Sequence, residues 1–184
     1  MKAWKRIEPT IVSKIGWRKV ISKTFIAPDG RTADFQTYDG EGQQYGGVIA
    51  LTPDLQVVIA RQFRPGPELI FEELPGGGIE EHDITDPQAG AMRELQEETG
   101  YVSDNVTYLG KSYKDAYQNA TSHYYLALDC ELHADGQSLD DGEHVDVDLI
   151  SIDQLFENAR SGRMSDVDGV FLAYEKLKGL QSAA

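Results

Sequence analysis

One cysteine in 184 residues, Cys130, excludes an intrachain disulfide, and within YYLALDCEL it reads as a buried strand residue rather than a nucleophile. No apolar run approaches the ~20 residues that a membrane helix needs. Cations are scarce. The 17 Lys and Arg face 31 Asp and Glu, a formal net charge of -14, which argues against nucleic acid and anionic membrane surfaces because both require a positive face. A small anionic ligand remains possible if arginines and bound cations gather locally, so the placement of Arg61, Arg64 and Arg93 matters more than the total. The opening MKAWKRIEPT lacks the apolar core of a signal peptide, so a cytoplasmic protein is expected. His82, His123, His133 and His144 share no ligand spacing with Cys130, which argues against zinc.

With 40% hydrophobic and 26% charged residues, the composition is that of a globular chain able to bury a core. Residues 1–16 give little pattern. From residue 17, WRKVISKTFIA and RTADFQTY read as an antiparallel hairpin joined by Pro28-Asp29-Gly30. GGVIALT and LQVVIARQFR flank Pro53-Asp54 as a second pair, and LIFEEL is a short strand ending at Pro75. Further strands are expected over 106–113, 121–132 and 145–152. Ser151 or Asp153 caps a helix over 153–162, and a last helix covers about 167–180. Strands dominate the first half and helices are interspersed, which predicts an α+β sandwich with its sheet between helices.

Chemistry concentrates in 73–101, ELPGGGIEEHDITDPQAGAMRELQEETGY. The Gly76-Gly77-Gly78 turn permits backbone geometry that a Cβ would resist. Asp86 as N-cap, Pro87 at the first helical position and Gly100 beyond the end predict a helix over 87–99. Glu94, Glu97 and Glu98 stand at i, i+3 and i+4 and share one face. An ordinary surface helix would alternate its charges, whereas Glu94 with Glu98 is a like-charge pair, unfavourable by about 0.2–0.5 kcal/mol without compensation. Hard oxygen donors grouped this way suit Mg²⁺ or Mn²⁺.

This stretch resembles the Nudix box: a glycine, five residues, an acid, seven residues, then Arg-Glu-apolar-x-Glu-Glu-x-Gly-apolar. Arg93 to Tyr101 matches at every fixed position. The first half departs: with Gly77 as the opening glycine, Asp83 stands where the family has glutamate, separated from Arg93 by nine residues instead of seven. The loop is two residues longer, and Glu80, Glu81, Asp83 or Asp86 takes the role of the first acid, which in the family supports the arginine and the loop. Trp17-x12-Gly30-x4-Phe35, Arg61 to Pro65, Glu73 to Gly76 and Asp141 to Val147 together resemble the ADP-ribose or ADP-sugar pyrophosphatase branch.

The resemblance implies a Nudix-type α/β/α sandwich over 46–184 and a small N-terminal antiparallel β subdomain over 1–45 that serves dimerisation and base binding. It implies that Glu94, Glu97, Glu98 and the Gly76 carbonyl hold Mg²⁺, with Mn²⁺ able to substitute. Glu143 would be the general base, with Asp141 as its alternate, and Arg93 would be a further catalytic residue. Trp17 and Phe35 would stack on the nucleotide base in a homodimer. Arg64 would contact phosphate, with Arg61 and Glu73 also on the substrate side. Arg61 and Arg64 lie three apart on a strand and face opposite ways, so one of them pairs with an acid such as Glu72 instead.

The implied reaction is hydrolysis of a nucleoside diphosphate sugar such as ADP-ribose to a nucleoside monophosphate and a sugar phosphate. The loop from Tyr113 to Ala120 lacks the proline turn of ADP-ribose enzymes, Tyr117 lies about where diadenosine polyphosphate hydrolases place a tyrosine, and Gly40 offers no basic side chain. Diadenosine polyphosphate or nucleoside triphosphate hydrolysis is therefore the alternative. A non-catalytic nucleotide sensor would be expected to have lost box carboxylates or Arg93, and all are present.

Overall fold

The computed structural model describes residues 1–16, 18–38 and 42–183. They gather into two compact units, Met1–Gln43 with Tyr113–Thr121, and Gln44–Ser112 with Ser122–Ala184.

In the first unit, β1 (Lys5–Ile15), β2 (Arg18–Ile26) and β3 (Thr32–Tyr38) form an antiparallel sheet in that order. The β2–β3 hairpin falls where its turn residues place it: Gly30 takes φ +86° and its N–H bonds the Ala27 carbonyl. The strand β1 had no clear signal in sequence. Pro9 interrupts it, and the pairing register shifts between Ile7 and Ile11. A proline cannot donate to the ladder and is tolerated at such a bulge on an edge strand. Ile11, Val12 and Ile15 of β1 are exposed. The 113–121 segment is laced to the end of this unit by Tyr38 N–H to Tyr117 O, Gly42 N–H to Asn119 O and Thr121 N–H to Gln43 O.

The second unit is an α/β/α sandwich on a mixed six-stranded sheet. Its strands are β4 (Gln44–Leu51), β5 (Val57–Arg64), β6 (Leu69–Glu73), β8 (Asn105–Tyr113), β9 (Thr121–Leu128) and β11 (Asp146–Ile150). They run β11-β5-β4-β9-β8, with β6 also paired to β5. A small side ladder joins β7 (Tyr101–Val102) to β10 (Glu131–Leu132). On one face, Val48, Ala50 and Val58 pack with Ala91 and Leu95 of α1 (Pro87–Thr99). On the other, Ile49, Leu51, Val57 and Ile59 pack with Leu155 of α2 (Ile152–Ser161) and Val170 and Leu177 of α3 (Val167–Ala183). Both faces of β4 and β5 are covered, so their sequence is a continuous apolar run rather than an alternation. Truncating Leu95, which is fully buried, would cost about 2–5 kcal/mol.

The helix boundaries follow their caps. The Asp86 side chain accepts from Ala89 N–H, Pro87 opens α1, and Gly100 ends it at φ +75°. Ser151, not Asp153, caps α2 by accepting from Gln154 N–H. The strand expected over 121–132 breaks at Asp129, whose φ is +55°. Cys130 follows the break with its N–H on the Leu51 carbonyl, and burial pushes its thiol up to about 11, so it is inert packing. No helix among the described residues is long and apolar enough to cross a membrane.

Candidate active site

The glycine turn is held between β4 and α1. Beyond β6 the chain runs along β4, with Val48 N–H on the Pro75 carbonyl (3.0 Å), Gly46 N–H on Gly77 O (2.9 Å) and Ile79 N–H on Gln44 O (2.9 Å). This proximity explains Gly76 and Gly77, though not Gly78, where a Cβ would meet nothing. A Cβ on Gly76 would overlap the Gly46 carbonyl, one on Gly77 would strike the Glu94 carboxylate, and one on Gly46 would lie 2.6 Å from the Ala91 Cβ. With its neighbours' carbonyls turned to β4, Gly76 points its N–H at the helix and donates to Glu98 Oε2 at 2.7 Å. Its own carbonyl receives no hydrogen bond among the described residues.

Glu98 is 6% exposed. Burial pushes its carboxyl up to about 7, with Glu94 and Glu143 adding to the rise and the Gly76 N–H and Arg64 opposing it. Glu94 is also raised, by burial first and then by Glu97 and Glu143, against the pull of Arg93. Glu97 turns to Arg93, whose Nη1 lies 2.5 Å from Glu97 Oε2. Burial works against the charge of Arg93, but Glu94, Glu97, Asp83 and Glu80 together outweigh it and the net direction is up. Among the four acids open for the first-acid role, Asp83 meets Arg93 Nε at 3.4 Å and Glu80 meets Nη2 at 3.5 Å, while Asp86 is occupied as the helix cap.

Among the described residues no three acidic, histidine or cysteine groups already stand close enough to hold a metal ion. Arg93 is the cation between Glu94 and Glu97. The donor set nonetheless suits a hard divalent cation: hard oxygens only, two carboxyls kept from ionising freely by burial, and a backbone carbonyl with its lone pairs unengaged.

The acidic loop before β11 docks on the C-terminal end of α1, where helix carbonyls lack partners. Ser138 N–H bonds Glu97 O (2.9 Å), Gln137 Nε2 bonds Glu98 O (2.6 Å) and Val145 O (3.0 Å), and His133 N–H bonds Gly100 O (2.8 Å). Gly100 is needed twice here, for its positive φ and because a Cβ would lie 2.9 Å from Gln137 N. The docking brings Glu143 within electrostatic reach of Glu94 and Glu98. Glu143 Oε2 accepts from Asp140 N–H at 3.2 Å. Asp141 is exposed and contributes nothing comparable to the helix carboxylates.

Arg64 and Arg61 divide as their spacing requires. Arg64 Nε lies 2.5 Å from Glu73 Oε2 and is close enough to Glu98 to lower its carboxyl. Arg61 Nη1 is 4.0 Å from Asp148, and its buried Nε has no hydrogen-bond partner among the described residues. Glu72 is taken by Asn158 and Arg163, not by either of them. Glu73, expected on the substrate side, is fully buried, and both its oxygens are engaged by Arg64 and by the Ser165 N–H and hydroxyl. Its influence on a substrate therefore runs through Arg64.

In the first unit, Phe35 lies across from Lys23 and packs edge-on against Trp4 (5.9 Å) and Phe25 (5.8 Å). Trp17 and Gly40 lie outside the described residues. Sequence reasoning missed Ser165 and Trp4. Nothing local marks Ser165, and Trp4 sits in the stretch without periodicity.

An α/β/α sandwich that presents three glutamates on one helix behind a glycine turn defines a class of pyrophosphohydrolases. The NUDIX domain model matches residues 44–169, and the chain belongs to that family, whose hydrolases generally need a divalent metal. The methanol dehydrogenase activator of Bacillus methanolicus is 28% identical over 140 residues, 76% of this chain and 74% of that protein. The ADP-ribose pyrophosphatase of Bacillus subtilis (strain 168) is 27% identical over 133 residues, 71% of each. The ADP-sugar pyrophosphatase of Mus musculus is 33% identical over 104 residues, 51% of this chain and 46% of that protein. A solved structure described as an ADP compounds hydrolase superposes with a TM-score of 0.79 at 20% identity, covering 98% of this chain and 97% of that one, which supports the fold.

Proposed function

We propose that this chain is a Mg²⁺-dependent enzyme of the cytoplasm that hydrolyses the pyrophosphate of a nucleoside diphosphate sugar such as ADP-ribose, releasing a nucleoside monophosphate and a sugar phosphate. The observation that carries the reading is Glu98, buried against the Gly76 N–H on the same helix face as Glu94 and Glu97. The names of the Bacillus subtilis and mouse relatives support the substrate class.

Glu94, Glu97, Glu98 and the Gly76 carbonyl would hold the ion, with Mn²⁺ able to substitute. When bound, such an ion neutralises the pyrophosphate oxygens and acidifies the attacking water. Glu143 is the group assigned to take the water's proton, because it alone of the loop acids acts electrostatically on both Glu94 and Glu98; Asp141 is its alternate. Arg64, aimed by Glu73, neutralises a phosphate, whereas Arg61, on the opposite face of β5, stays by Asp148. Arg93 keeps the carboxylates from repelling one another. Trp17 and Phe35 are assigned to the base.

The N-terminal subdomain is assigned to a homodimer. The first unit carries nine Lys and Arg against six Asp and Glu, whereas the second carries eight against 25, so the first unit is the part of an acidic chain where a second copy meets least repulsion. Pairing would also cover the exposed Ile11, Val12 and Ile15 of an edge strand. A panel of nucleoside diphosphate sugars, dinucleoside polyphosphates and nucleoside triphosphates with Mg²⁺, with products identified, tests the assignment. Preference for either of the latter two classes would move the enzyme to another branch, and nucleotide binding without turnover would make it a sensor.

A further inference from the structure

Glu73, the last residue of β6, is fully buried, so the donors to its carboxylate come from the protein. The two oxygens are divided. Oε2 takes Arg64 Nε at 2.5 Å, while Oε1 takes both the Ser165 N–H, at 3.1 Å, and the Ser165 hydroxyl. An arginine and a carboxylate pair most strongly through a fork of two parallel N–H···O bonds. Arg64 makes only one such bond. Its Nη groups donate to nothing among the described residues, although the guanidinium is near enough to Glu98 to lower that carboxyl.

Ser165 lies in the loop between α2 and α3, and a second acid of β6 anchors that loop. Glu72 N–H bonds Arg163 O (2.9 Å), Asn158 Nδ2 bonds Glu72 Oε2 (2.7 Å), and Arg163 Nη1 lies 3.7 Å from Glu72 Oε1. Asn158 is itself fully buried. Adjacent glutamates of one strand thus hold one loop by separate contacts, so loss of the Ser165 hydroxyl does not release it. We infer that Ser165 keeps the outer edge of Arg64 free for a substrate phosphate, by filling the Glu73 oxygen that would otherwise close the arginine into a fork. This rests on the reading above that Arg64 meets a phosphate. Without the hydroxyl, Oε1 is short of a donor in a site closed to solvent, and an Nη group of the guanidinium already bonded to Oε2 is the charged donor at hand. The guanidinium then turns toward Glu73 and away from the substrate. Ser165 is a positioning residue, which acts through Glu73 and Arg64 and touches no substrate.

The test is calorimetric binding of ADP to the full chain without metal, beside steady-state kinetics on a nucleoside diphosphate sugar. Ser165→Ala is expected to raise the Kd of ADP and the KM about tenfold, as for loss of one hydrogen bond to a charged group, with kcat little changed. Ser165→Thr, which keeps a hydroxyl, should restore both. Ser161→Ala removes a nearby hydroxyl that bonds only the Asn158 carbonyl (3.4 Å) and is expected to leave Kd within about twofold. In a Glu73→Gln background, which has one oxygen and no charge to fork, adding Ser165→Ala should change Kd no further. A wild-type Kd in Ser165→Ala overturns the proposal, even if Tm falls, and so does an equal loss in the Glu73→Gln background. If Ser165→Ala does not fold, the Arg64 side-chain N–H resonances of the wild type decide. Movement of the Nη–H signals on adding ADP, with Nε–H unmoved, supports the proposal; unmoved Nη–H signals overturn it. A wild type that does not bind ADP, or an Arg64→Ala variant that binds it equally well, would overturn the phosphate reading together with this one, a result distinct from those above.

Discussion

The backbone N–H of Gly76 donates to Glu98 Oε2 at 2.7 Å across 22 positions of sequence, joining the glycine turn to the carboxylate helix. One polar hydrogen bond does not offset the burial of that carboxylate, which is pushed up to about 7. A carboxyl raised above its ordinary value favours the folded state when protonated, so this stabilisation is lost as pH rises from about 4.5 to about 7. Glu98→Gln mimics the protonated form and keeps an acceptor for Gly76. It is expected to raise the metal-free Tm at pH 8 by several degrees, corresponding to up to about 3 kcal/mol, and to show little gain at pH 5. Calorimetry at the two pH values checks it; an equal gain at both would detach the effect from ionisation.

Gly76→Ala places a methyl group against the Gly46 carbonyl. The turn must then move off β4, at a cost of about 1–3 kcal/mol, and the N–H that holds Glu98 moves with it. Both a lower Tm and a loss of turnover are expected. Full activity with a lowered Tm would show that the turn is structural only.

Among the acids, Glu97→Gln and Glu98→Gln are each expected to abolish turnover in a folded protein. Glu143→Gln should lower kcat by about 10²–10⁴ with KM little changed, whereas Asp141→Asn stays near wild type. Steady-state kinetics on one nucleoside diphosphate sugar separates these outcomes, and the reverse ranking of Glu143 and Asp141 would transfer the base role.

Arg64→Ala removes the proposed phosphate contact and also leaves Glu73 buried with only Ser165 as partner. The single variant should raise KM about tenfold or more and lose about 1–3 kcal/mol of stability. Pairing it with Glu73→Gln should restore much of the stability but none of the KM. Recovery of KM in the double variant would mean that Glu73, not the substrate, is the partner that matters.

The carboxylate helix was readable because its signals are local: Asp86, Pro87 and Gly100 each act within one turn of their own position, and three glutamates fall on one face by spacing alone. The same holds for β4 and β5, whose unbroken apolar runs reflect cover on both faces. Strand β1 was not readable, because Pro9 and the bulge beside it erase the period-two pattern that announces a strand. The first acid of the box was also undecided. Four carboxylates lie close together in sequence, and only the fold shows Asp83 and Glu80 at Arg93 while Asp86 is spent on the cap. Glu73 looked like a substrate group by position, and only the fold shows that Ser165, in the loop before α3, closes over it. What escaped the sequence was therefore contact between distant segments.

The central claim, that the α1 carboxylates serve pyrophosphate hydrolysis, is tested most directly by phosphorus NMR of ADP-ribose incubated with the protein and Mg²⁺. The account predicts that the two coupled diphosphate resonances give way to two monophosphate resonances, those of AMP and ribose 5-phosphate, with the wild type and not with Glu98→Gln. Diphosphate resonances that persist with the wild type, or that disappear equally fast with Glu98→Gln, would contradict it.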